Sequence, residues 1–379
     1  MRKLKLLIIS VMSIVIITGC WDKVEIDKRA FVALIGIDKF ENNADQKKDK
    51  KNRYTVTIAY PNTGVIAGKG QGEPKFIYTS TGENFSDIIN GLNTRLGKTT
   101  FFRHTKAIIL GEKLAKDEKL FREVLDVIER SPELGRKIHL IIAKGEAKEI
   151  LDTSTKDETV LGLFIRELME QTRKTPRIAD ADLGYILRSL HESHTAITPK
   201  IVSSKDEFKI AGAAVLKDFK MIGWLGELET KDLMFMQDKI KSSEMNVVKD
   251  DIIIALRITD VSTKMRVYEE EGEIVTHFDV DGEANIQQHL FEVRDQPLDH
   301  EYLEKIGNLA AGNIKEEIKT TYKKIQDDYQ ADLVQAGESL RKHEPDTWDK
   351  VKENWDEIFP TTKVKVDVKI KVRRAGVTK

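Results

Sequence analysis

Hydrophobic and polar residues follow two periods along this 379-residue chain. Apolar residues spaced three and four apart predict helices at residues 84–96, 114–129, 146–151, 157–174, 180–190, 298–329, 332–342 and 345–355. Apolar or alternating runs rich in branched and aromatic residues predict strands at 30–40, 53–60, 75–80, 106–110, 136–143, 208–216, 221–224, 246–256, 261–269, 273–288 and 363–373. Residues 195–209, which contain Pro199 and few helix signals, are predicted to be a connector.

This mixture of elements predicts the fold class. Helices and strands do not alternate strictly, and residues 208–290 read as consecutive strands of a mostly antiparallel sheet. We therefore predict an α+β protein of several domains, with mixed or antiparallel sheets that each pack against helices. The predicted regions are a signal peptide at 1–19, an N-terminal α+β region at 20–200, a strand-rich middle domain at 201–290 and a helix-rich C-terminal domain at 291–379 that ends in a strand.

The first twenty residues have the pattern of a secretory signal. Three basic residues within positions 2–5 precede an apolar run at 6–17, which is shorter than the about 20 residues that a membrane-spanning helix needs. Ile17, Thr18, Gly19 and Cys20 then resemble the lipobox of bacterial lipoproteins. Small residues before the cleavage point fit a protease cleft, and a thiol is the nucleophile that accepts diacylglyceryl. We therefore predict that Cys20 carries covalent diacylglyceryl and N-acyl lipid, and we predict no other cofactor.

Cys20 is the only cysteine of the chain, so it cannot form an internal disulfide. The alternatives to lipid attachment are a buried structural cysteine and an uncleaved membrane anchor. Acyl chains on one cysteine hold a protein stably on a membrane, since each buried methylene contributes roughly 0.8 kcal/mol. Trp21 follows directly. Two interpretations of Trp21 stay open, a membrane-proximal contact among lipid headgroups and a core position in the first domain.

Composition excludes several classes of protein. The net charge is −1, and charged residues make up 33% of the chain, as expected for a solvated globular ectodomain. A nucleic-acid-binding protein would show a concentrated basic field, so no nucleic-acid partner is predicted.

The residue patterns that accompany catalysis or metal binding are missing from the sequence. His191 and His194 are three residues apart, whereas a zinc-binding H-E-x-x-H helix needs histidines four apart, so surface histidines and no metal site are predicted. The glycine-rich residues 68–72 precede a strand rather than the helix that a phosphate loop requires. No G-x-S-x-G elbow is present, and we predict that the protein is not an enzyme.

Several segments, in their order and spacing, resemble the Ger(x)C family, the lipoprotein C subunits of spore nutrient germinant receptors. They are Cys20-Trp21-Asp22 with Val24-Glu25-Ile26, Arg103-His104-Thr105-Lys106 with Gly111-Glu112, Arg130-Ser131-Pro132-Glu133, Lys144-Gly145-Glu146-Ala147, Gly212-Ala213-Ala214-Val215, Gly223-Trp224-Leu225, Asp332-Leu333, Gly337, Trp348 and Trp355-Asp356-Glu357-Ile358-Phe359-Pro360. One departure is Val334-Gln335-Ala336, where the family has residues like Phe-Gly-Phe. The two tryptophans, Trp348 and Trp355, are predicted to be core residues.

The resemblance implies a function and a location. Its members are non-enzymatic subunits on the outer face of the inner spore membrane, beside an A subunit and a transporter-like B subunit, and they take part in nutrient-triggered germination. It implies a mixed α/β fold in three domains. The nutrient, and whether this subunit touches it, stay open. The alternative is a solute-binding lipoprotein that delivers a small ligand to a transporter, although such proteins have two lobes of repeated βα units. An exported hydrolase is a third alternative, but the sequence contains no motif typical of hydrolase catalysis.

Overall fold

The computed structural model describes residues 28–41, 52–153, 161–170, 176–204, 207–289 and 300–373, which form three sheets surrounded by helices. The strands are β1 (Arg29–Phe31), β2 (Leu34–Lys39), β3 (Tyr54–Pro61), β4 (Lys75–Gly82), β5 (Thr99–Phe101), β6 (Ala107–Gly111), β7 (His139–Ala143), β8 (Thr195–Ser204), β9 (Glu207–Lys217), β10 (Lys220–Leu225), β11 (Ser242–Lys249), β12 (Ile252–Glu270), β13 (Glu273–His289) and β14 (Lys363–Arg373).

The helices pack on both faces of one sheet and on one face of another. They are α1 (Thr63–Ile66), α2 (Phe85–Leu96), α3 (Glu112–Ala115), α4 (Glu118–Arg130), α5 (Ala147–Asp152), α6 (Leu161–Glu170), α7 (Leu183–Glu192), α8 (Glu227–Met236), α9 (His300–Lys324), α10 (Ala336–His343), α11 (Pro345–Val351) and α12 (Trp355–Ile358). A π-helical segment, Ile325–Tyr329, extends α9. The combination confirms the predicted α+β class with mixed sheets.

The largest described sheet has eight strands in the order β10-β9-β8-β7-β6-β2-β3-β4. Its central strands β2, β6, β7 and β8 run parallel, while the strands at both ends are antiparallel to their neighbours. Helices cover both faces, so β6 is buried at every residue. This explains why β6 reads as a continuous apolar run rather than an alternating one.

The second large sheet has the order β11-β12-β13-β14, and the long helix α9 packs on its inner face. β14 alternates between buried and exposed residues, as its alternating sequence predicted. At the centre, the fully buried Tyr322 shares hydrogen bonds with Thr276 at 2.9 Å and Thr362 at 3.0 Å, which joins α9 to the starts of β13 and β14. Within the described ranges, no helix has the length and apolar character needed to cross a bilayer.

Two predictions about the chain between residues 195 and 236 differ from the structure. Residues 195–209 are not a connector, since they hold β8 and the start of β9. Pro199 fits inside β8 because the pairing with β9 shifts register between Pro199 and Ile201, a bulge where no ladder hydrogen bond from proline is needed. The helix α8 was not predicted, because its buried residues 230–236 include the polar Lys231 and Asp232, so the sequence shows no apolar stripe with helical spacing. The division into regions that end at 200 and 290 stays a prediction.

The last helices are held together by the buried carboxylate of Asp332. It accepts hydrogen bonds from the backbone N–H groups of Ala336 and Gly337, both at 2.8 Å, and from Trp355 Nε1 at 3.1 Å. Trp348 and Trp355 meet edge to face with ring centroids 5.6 Å apart. Both pack against the hydrophobic core of the second large sheet and keep part of their surface exposed. A glycine is needed at 337 because both rings lie against its Cα.

We expect the substitution Gly337→Ala to lower the free energy of unfolding by about 1–3 kcal/mol, the usual range for overpacking. The new Cβ would lie 2.7 Å from Trp355 Nε1 and 3.1 Å from Trp348 Cζ3. Urea unfolding of the purified chain, followed by tryptophan fluorescence, measures the change. Gly312→Ala is the matched control, because a Cβ there meets nothing within 4 Å and alanine favours a helix by about 1 kcal/mol. Wild-type stability in Gly337→Ala would contradict the close packing.

A second prediction concerns Asp232, which is only 4% exposed on α8. Its Oδ2 accepts a hydrogen bond from Thr321 at 2.8 Å, while its Oδ1 lies 3.6 Å from Lys231 Nζ without a hydrogen bond. Burial, opposed by the nearby Lys231, raises the pKa of Asp232 to about 6. The folded state therefore holds this proton more tightly than the unfolded chain does.

Because the folded pKa is raised, this contribution to stability is present below about pH 4 and is lost as pH rises through about 6. The loss is on the order of 3 kcal/mol. Asp232→Asn keeps the shape and an acceptor for Thr321, so its free energy of unfolding should fall less between pH 4 and 7 than that of the wild type. Denaturant unfolding at several pH values tests this. The exposed Asp327→Asn is the control and should parallel the wild type, and identical slopes for Asp232→Asn and wild type would refute the assignment.

Candidate functional site

The predicted lipid attachment residue Cys20, the lipobox residues Ile17, Thr18 and Gly19, and Trp21 lie outside the described residues. The described chain begins at Lys28, eight residues after Cys20. Eight residues span at most about 29 Å when fully extended. If Cys20 is the lipid attachment point, β1 lies within that distance of the membrane surface.

The surface where the described chain begins combines aromatic and basic side chains. β1 pairs in parallel with β5 as a separate two-stranded sheet. Phe31, Phe101 and His104 pack against one another with ring centroids 5.3–5.6 Å apart. The Arg29 guanidinium lies 4.7 Å from the centre of the Phe101 ring, and Arg103 is exposed beside them. His104 and Arg103 belong to a segment that carries the family resemblance.

Two further segments that carry the family resemblance, one with Gly111 and one with Ala147, meet at Asp38. The Asp38 carboxylate, at the end of β2, accepts hydrogen bonds from the backbone N–H groups of Ala147 at 2.7 Å and Lys148 at 3.0 Å, at the start of α5. Gly111 gives the carboxylate room, since a Cβ there would lie 2.1 Å from Asp38 Oδ1. Gly145 turns the chain toward α5 with a φ of +118°. Burial raises the pKa of Asp38 to about 6, although both backbone bonds oppose the shift.

Asp38 was not singled out from the sequence. A signal existed, because an aspartate within the apolar run of residues 30–40 must find partners when it is buried. The partners themselves are more than one hundred residues away, so the sequence alone could not name them.

The segments around Glu112 and Trp224 connect the two halves of the chain. Trp224 Nε1 donates a hydrogen bond to Glu112 Oε1 at 3.3 Å, and Lys116 donates to the same oxygen at 2.6 Å. The Tyr329 hydroxyl donates to the Trp224 carbonyl at 2.8 Å. A Cβ at Gly223 would lie 2.4 Å from the Tyr329 ring, so only glycine lets this ring approach the strand.

The two histidines of H-E-S-H do not converge. His191 Nε2 lies 3.3 Å from a carboxylate oxygen of Glu129, and His194 Nδ1 lies 3.3 Å from a carboxylate oxygen of Asp218. The histidines therefore face separate carboxylates.

A different group of three potential metal ligands lies on the outer face of the second sheet. Ligand atoms of His277, Asp279 and Asp367 lie within 4.8 Å of one another. Arg266 pairs with Asp279 at 2.5 Å, and Lys315 lies 3.9 Å from Asp367, so positive charge is already supplied by the protein. This group was not predictable from the sequence, because β13 and β14 are far apart in the chain.

A cavity of about 480 Å³ lies between the end of α7 and the last helices. It is lined by residues of the segments that carry the resemblance, Asp332, Gly337, Trp348 and Trp355, together with His194. The carboxylate of Asp332 and the indole N–H of Trp355 are bonded to each other here. The motif side chains described so far are therefore used mainly in internal contacts.

Two family models match this chain along nearly its full length. The model described as the spore germination protein N-terminal domain matches residues 22–203. The model described as spore germination B3/GerAC-like, C-terminal, matches residues 211–376. The first match ends within β8 and the second begins within β9.

Curated relatives from Bacillus subtilis (strain 168) match over similar lengths. The chain is 26% identical to spore germination protein YndF over 400 residues, which covers 100% of this chain and 98% of the relative. It is 24% identical to spore germination protein KC, covering 99% and 96%, and 25% identical to spore germination protein B3, covering 94% of each.

A solved structure supports the fold. The crystal structure of the GerBC protein superimposes with a TM-score of 0.61 at 22% identity, covering 88% of this chain and 98% of that one. At this identity the likeness shows the fold alone. The two family models, which together span most of the chain, confirm the resemblance found in the sequence: the chain belongs to the Ger(x)C family of spore germination proteins.

Proposed function

We propose that this chain is the lipid-anchored C subunit of a spore germinant receptor, needed for nutrient-triggered germination. The observation that carries the proposal is the lipobox-like Ile17-Thr18-Gly19-Cys20 at the head of a chain that matches both Ger(x)C family models. The relatives are named as spore germination proteins, which supports the same process for this chain.

The proposed location is the outer face of the inner spore membrane. Cleavage before Cys20 and transfer of diacylglyceryl and N-acyl lipid would leave a folded body on a short tether. Acyl chains on one residue give stable membrane binding, where a single chain gives only marginal binding. The seven residues between Cys20 and Lys28 would keep the β1–β5 sheet close to the headgroups.

In this proposal the protein acts by binding the A and B subunits rather than by catalysis. The buried carboxylates in its motif segments support this, because Asp38 and Asp332 accept backbone N–H groups and stabilise the fold. Glu112 likewise bonds to Trp224 and Lys116. These carboxylates make internal contacts, which would hold the surface of the protein in the shape that the partner subunits bind.

The fold weighs against the alternative of a solute-binding lipoprotein. Such proteins have two lobes of repeated βα units with parallel sheets. Here β11, β12 and β13 are consecutive antiparallel strands, joined by tight turns at residues 250–251 and 271–272.

We expect Cys20→Ala to weaken membrane attachment, which would then depend on the uncleaved leader alone, and to slow germination in response to nutrient. Alanine has no thiol to accept diacylglyceryl, so neither the lipid nor the following cleavage can occur. Membrane fractionation, mass spectrometry of the mature N-terminus and loss of optical density in spore suspensions measure the three consequences.

Lys23→Ala is the matched control, since it alters the same segment without removing the thiol. It should be acylated and should germinate like the wild type. Spores carrying Cys20→Ala that respond normally to nutrient would disprove the need for the tether.

A further inference from the structure

A polar cavity of about 720 Å³ lies where the two halves of the chain meet. It is bounded by the segment before β6, the segment that leads into β7, the start of α7 and the turn after α8. Backbone hydrogen bonds fix these walls: Leu183 N donates to Ile138 O at 2.9 Å, Gly184 N donates to Arg136 O at 2.9 Å, and His139 N donates to Lys106 O at 3.2 Å. The cavity is therefore part of the fold rather than a gap between surface side chains.

Four cations of the cavity wall have no ion-pair partner among the residues that the structure describes. Arg103, Lys106, Lys137 and Arg188 line the cavity, and none of them forms an ion pair or a side-chain hydrogen bond with another residue of the described ranges. They come from three separate segments of the chain, so their meeting results from the fold.

Three carboxylates also line the cavity, and none of them is free. Glu170 pairs with Arg166 at 3.4 Å, and Asp182 Oδ1 accepts the backbone N–H of Tyr185 at 2.8 Å as the cap of α7. Asp180 is the third. Together with Lys239 and Arg166 the wall therefore carries more positive than negative charge.

Two nitrogens in the wall, His139 Nδ1 and Lys239 Nζ, differ from the four cations in being more buried. His139 Nδ1 is buried and has no hydrogen-bond partner. Lys239 Nζ donates to the Asp180 carbonyl at 3.0 Å and lies 3.9 Å from the centre of the Tyr185 ring. Burial lowers the pKa of Lys239 to about 8 and lowers the pKa of His139, and in both cases nearby Asp180 and Asp182 oppose the shift. A bound anion would give His139 Nδ1 a partner and would balance the charge of Lys239.

We propose that this cavity binds a phosphate group. A phosphate offers three strongly accepting oxygens and up to two negative charges, which matches several converging cations better than a carboxylate with two oxygens does. Arginine binds phosphate in a bidentate way and lysine binds it as a point charge, and the wall presents both kinds. The group belongs either to a soluble phosphate compound or to a phospholipid headgroup.

The position of the cavity makes both sources accessible. Arg103 lies two residues after β5, the strand that pairs with β1 where the described chain begins. The cavity thus opens near the end of the protein that the tether would hold at the membrane. The headgroup source rests on the proposed lipid anchoring, whereas the soluble source does not.

The test uses the purified full-length acylated chain in maltoside micelles, which contain no phosphate. Inorganic phosphate is titrated by isothermal calorimetry, first in pure micelles and then in micelles doped with phosphatidylglycerol. We expect saturable binding of phosphate in pure micelles. The double variant Lys106→Gln/Arg188→Gln should weaken it at least about tenfold, since it removes two charge-assisted contacts.

Lys369→Gln/Lys371→Gln is the matched control. It removes the same charge from exposed positions on β14 and should leave the phosphate affinity within about twofold of the wild type. If Lys106→Gln/Arg188→Gln fails to fold by urea unfolding, Arg103→Gln/Lys137→Gln replaces it, because both of those side chains are exposed.

The outcomes separate the sources. A phosphate affinity that falls in doped micelles identifies a headgroup as competitor, and an unchanged affinity identifies a soluble compound. No saturable binding at millimolar phosphate, or equal weakening by the control pair, would overturn the proposal. Neither outcome depends on germination, so the receptor role stands or falls separately through Cys20→Ala.

Discussion

Burial of β8 and β9 on both faces, by two different hydrophobic cores, holds the halves of this protein in one structure. Along β8, Ala196 faces the core beneath α2, α4 and α7, whereas Ile197 faces the core of the second sheet. Along β9, Ala214 and Leu216 face the first core and Ala213 and Val215 face the second. Because side chains alternate at every residue of a strand, a register slip of one residue would exchange the two sets and disrupt both cores.

This arrangement has a consequence for the two family regions. The C-terminal model begins at residue 211, inside β9, yet β9 and β10 belong to the sheet built mainly by the N-terminal region. The regions are therefore joined by backbone ladders as well as by side chains. A hydrogen bond from the Tyr329 hydroxyl to the Trp224 carbonyl ties the end of α9 to β10, on the same boundary. Separating the regions would expose ladder groups of β8 as well as apolar surface.

The same polar arrangement occurs once in each half of the chain. Asp38 and Asp332 are buried carboxylates, and each accepts two successive backbone N–H groups at the start of a helix, which lack partners within the helix itself. A glycine stands close to each, Gly111 beside Asp38 and Gly337 as a donor to Asp332. This arrangement of a buried carboxylate and a nearby glycine explains why glycine and acidic residues recur in the segments that resemble the family.

Local patterns predicted much of this fold, and contacts between distant segments were not predictable. The exposed and buried faces of β14 and the buried run of β6 follow directly from their sequences. The helix α8 was missed because its buried residues include polar ones and its exposed residues include Leu228, so no apolar stripe appears. β8 was missed because Pro199 was interpreted as a break in structure, and the bulge that accommodates it depends on β9. Asp38 and Asp332 could be suspected only as acidic residues beside apolar ones. Their donors depend on the fold.

The departure at Gln335 shows how local chemistry and fold interact. Gln335 has a φ of +61° and a ψ of 41°, a left-handed conformation in which glycine is unstrained and other residues cost roughly 1–2 kcal/mol. The family pattern has a glycine-like position here, so the sequence departs where the backbone most favours glycine. The Gln335 amide donates to Ser189 at 3.2 Å on α7, and this bond offsets part of the cost.

Some cations on the described surface form ion pairs and others do not. On the outer face of the second sheet, Lys365 pairs with Glu270 and Lys315 lies near Asp367, as expected for a solvated face where such pairs contribute little. Lys369 and Lys371 have no such pair within the described ranges, but they are exposed, and water solvates them. Arg103, Lys137 and Arg188 are exposed as well, but they line one cavity with Lys239, whose charge is largely buried. Repulsion among like charges grows as water is removed, so a cluster of this kind persists at less cost when an anion occupies its centre.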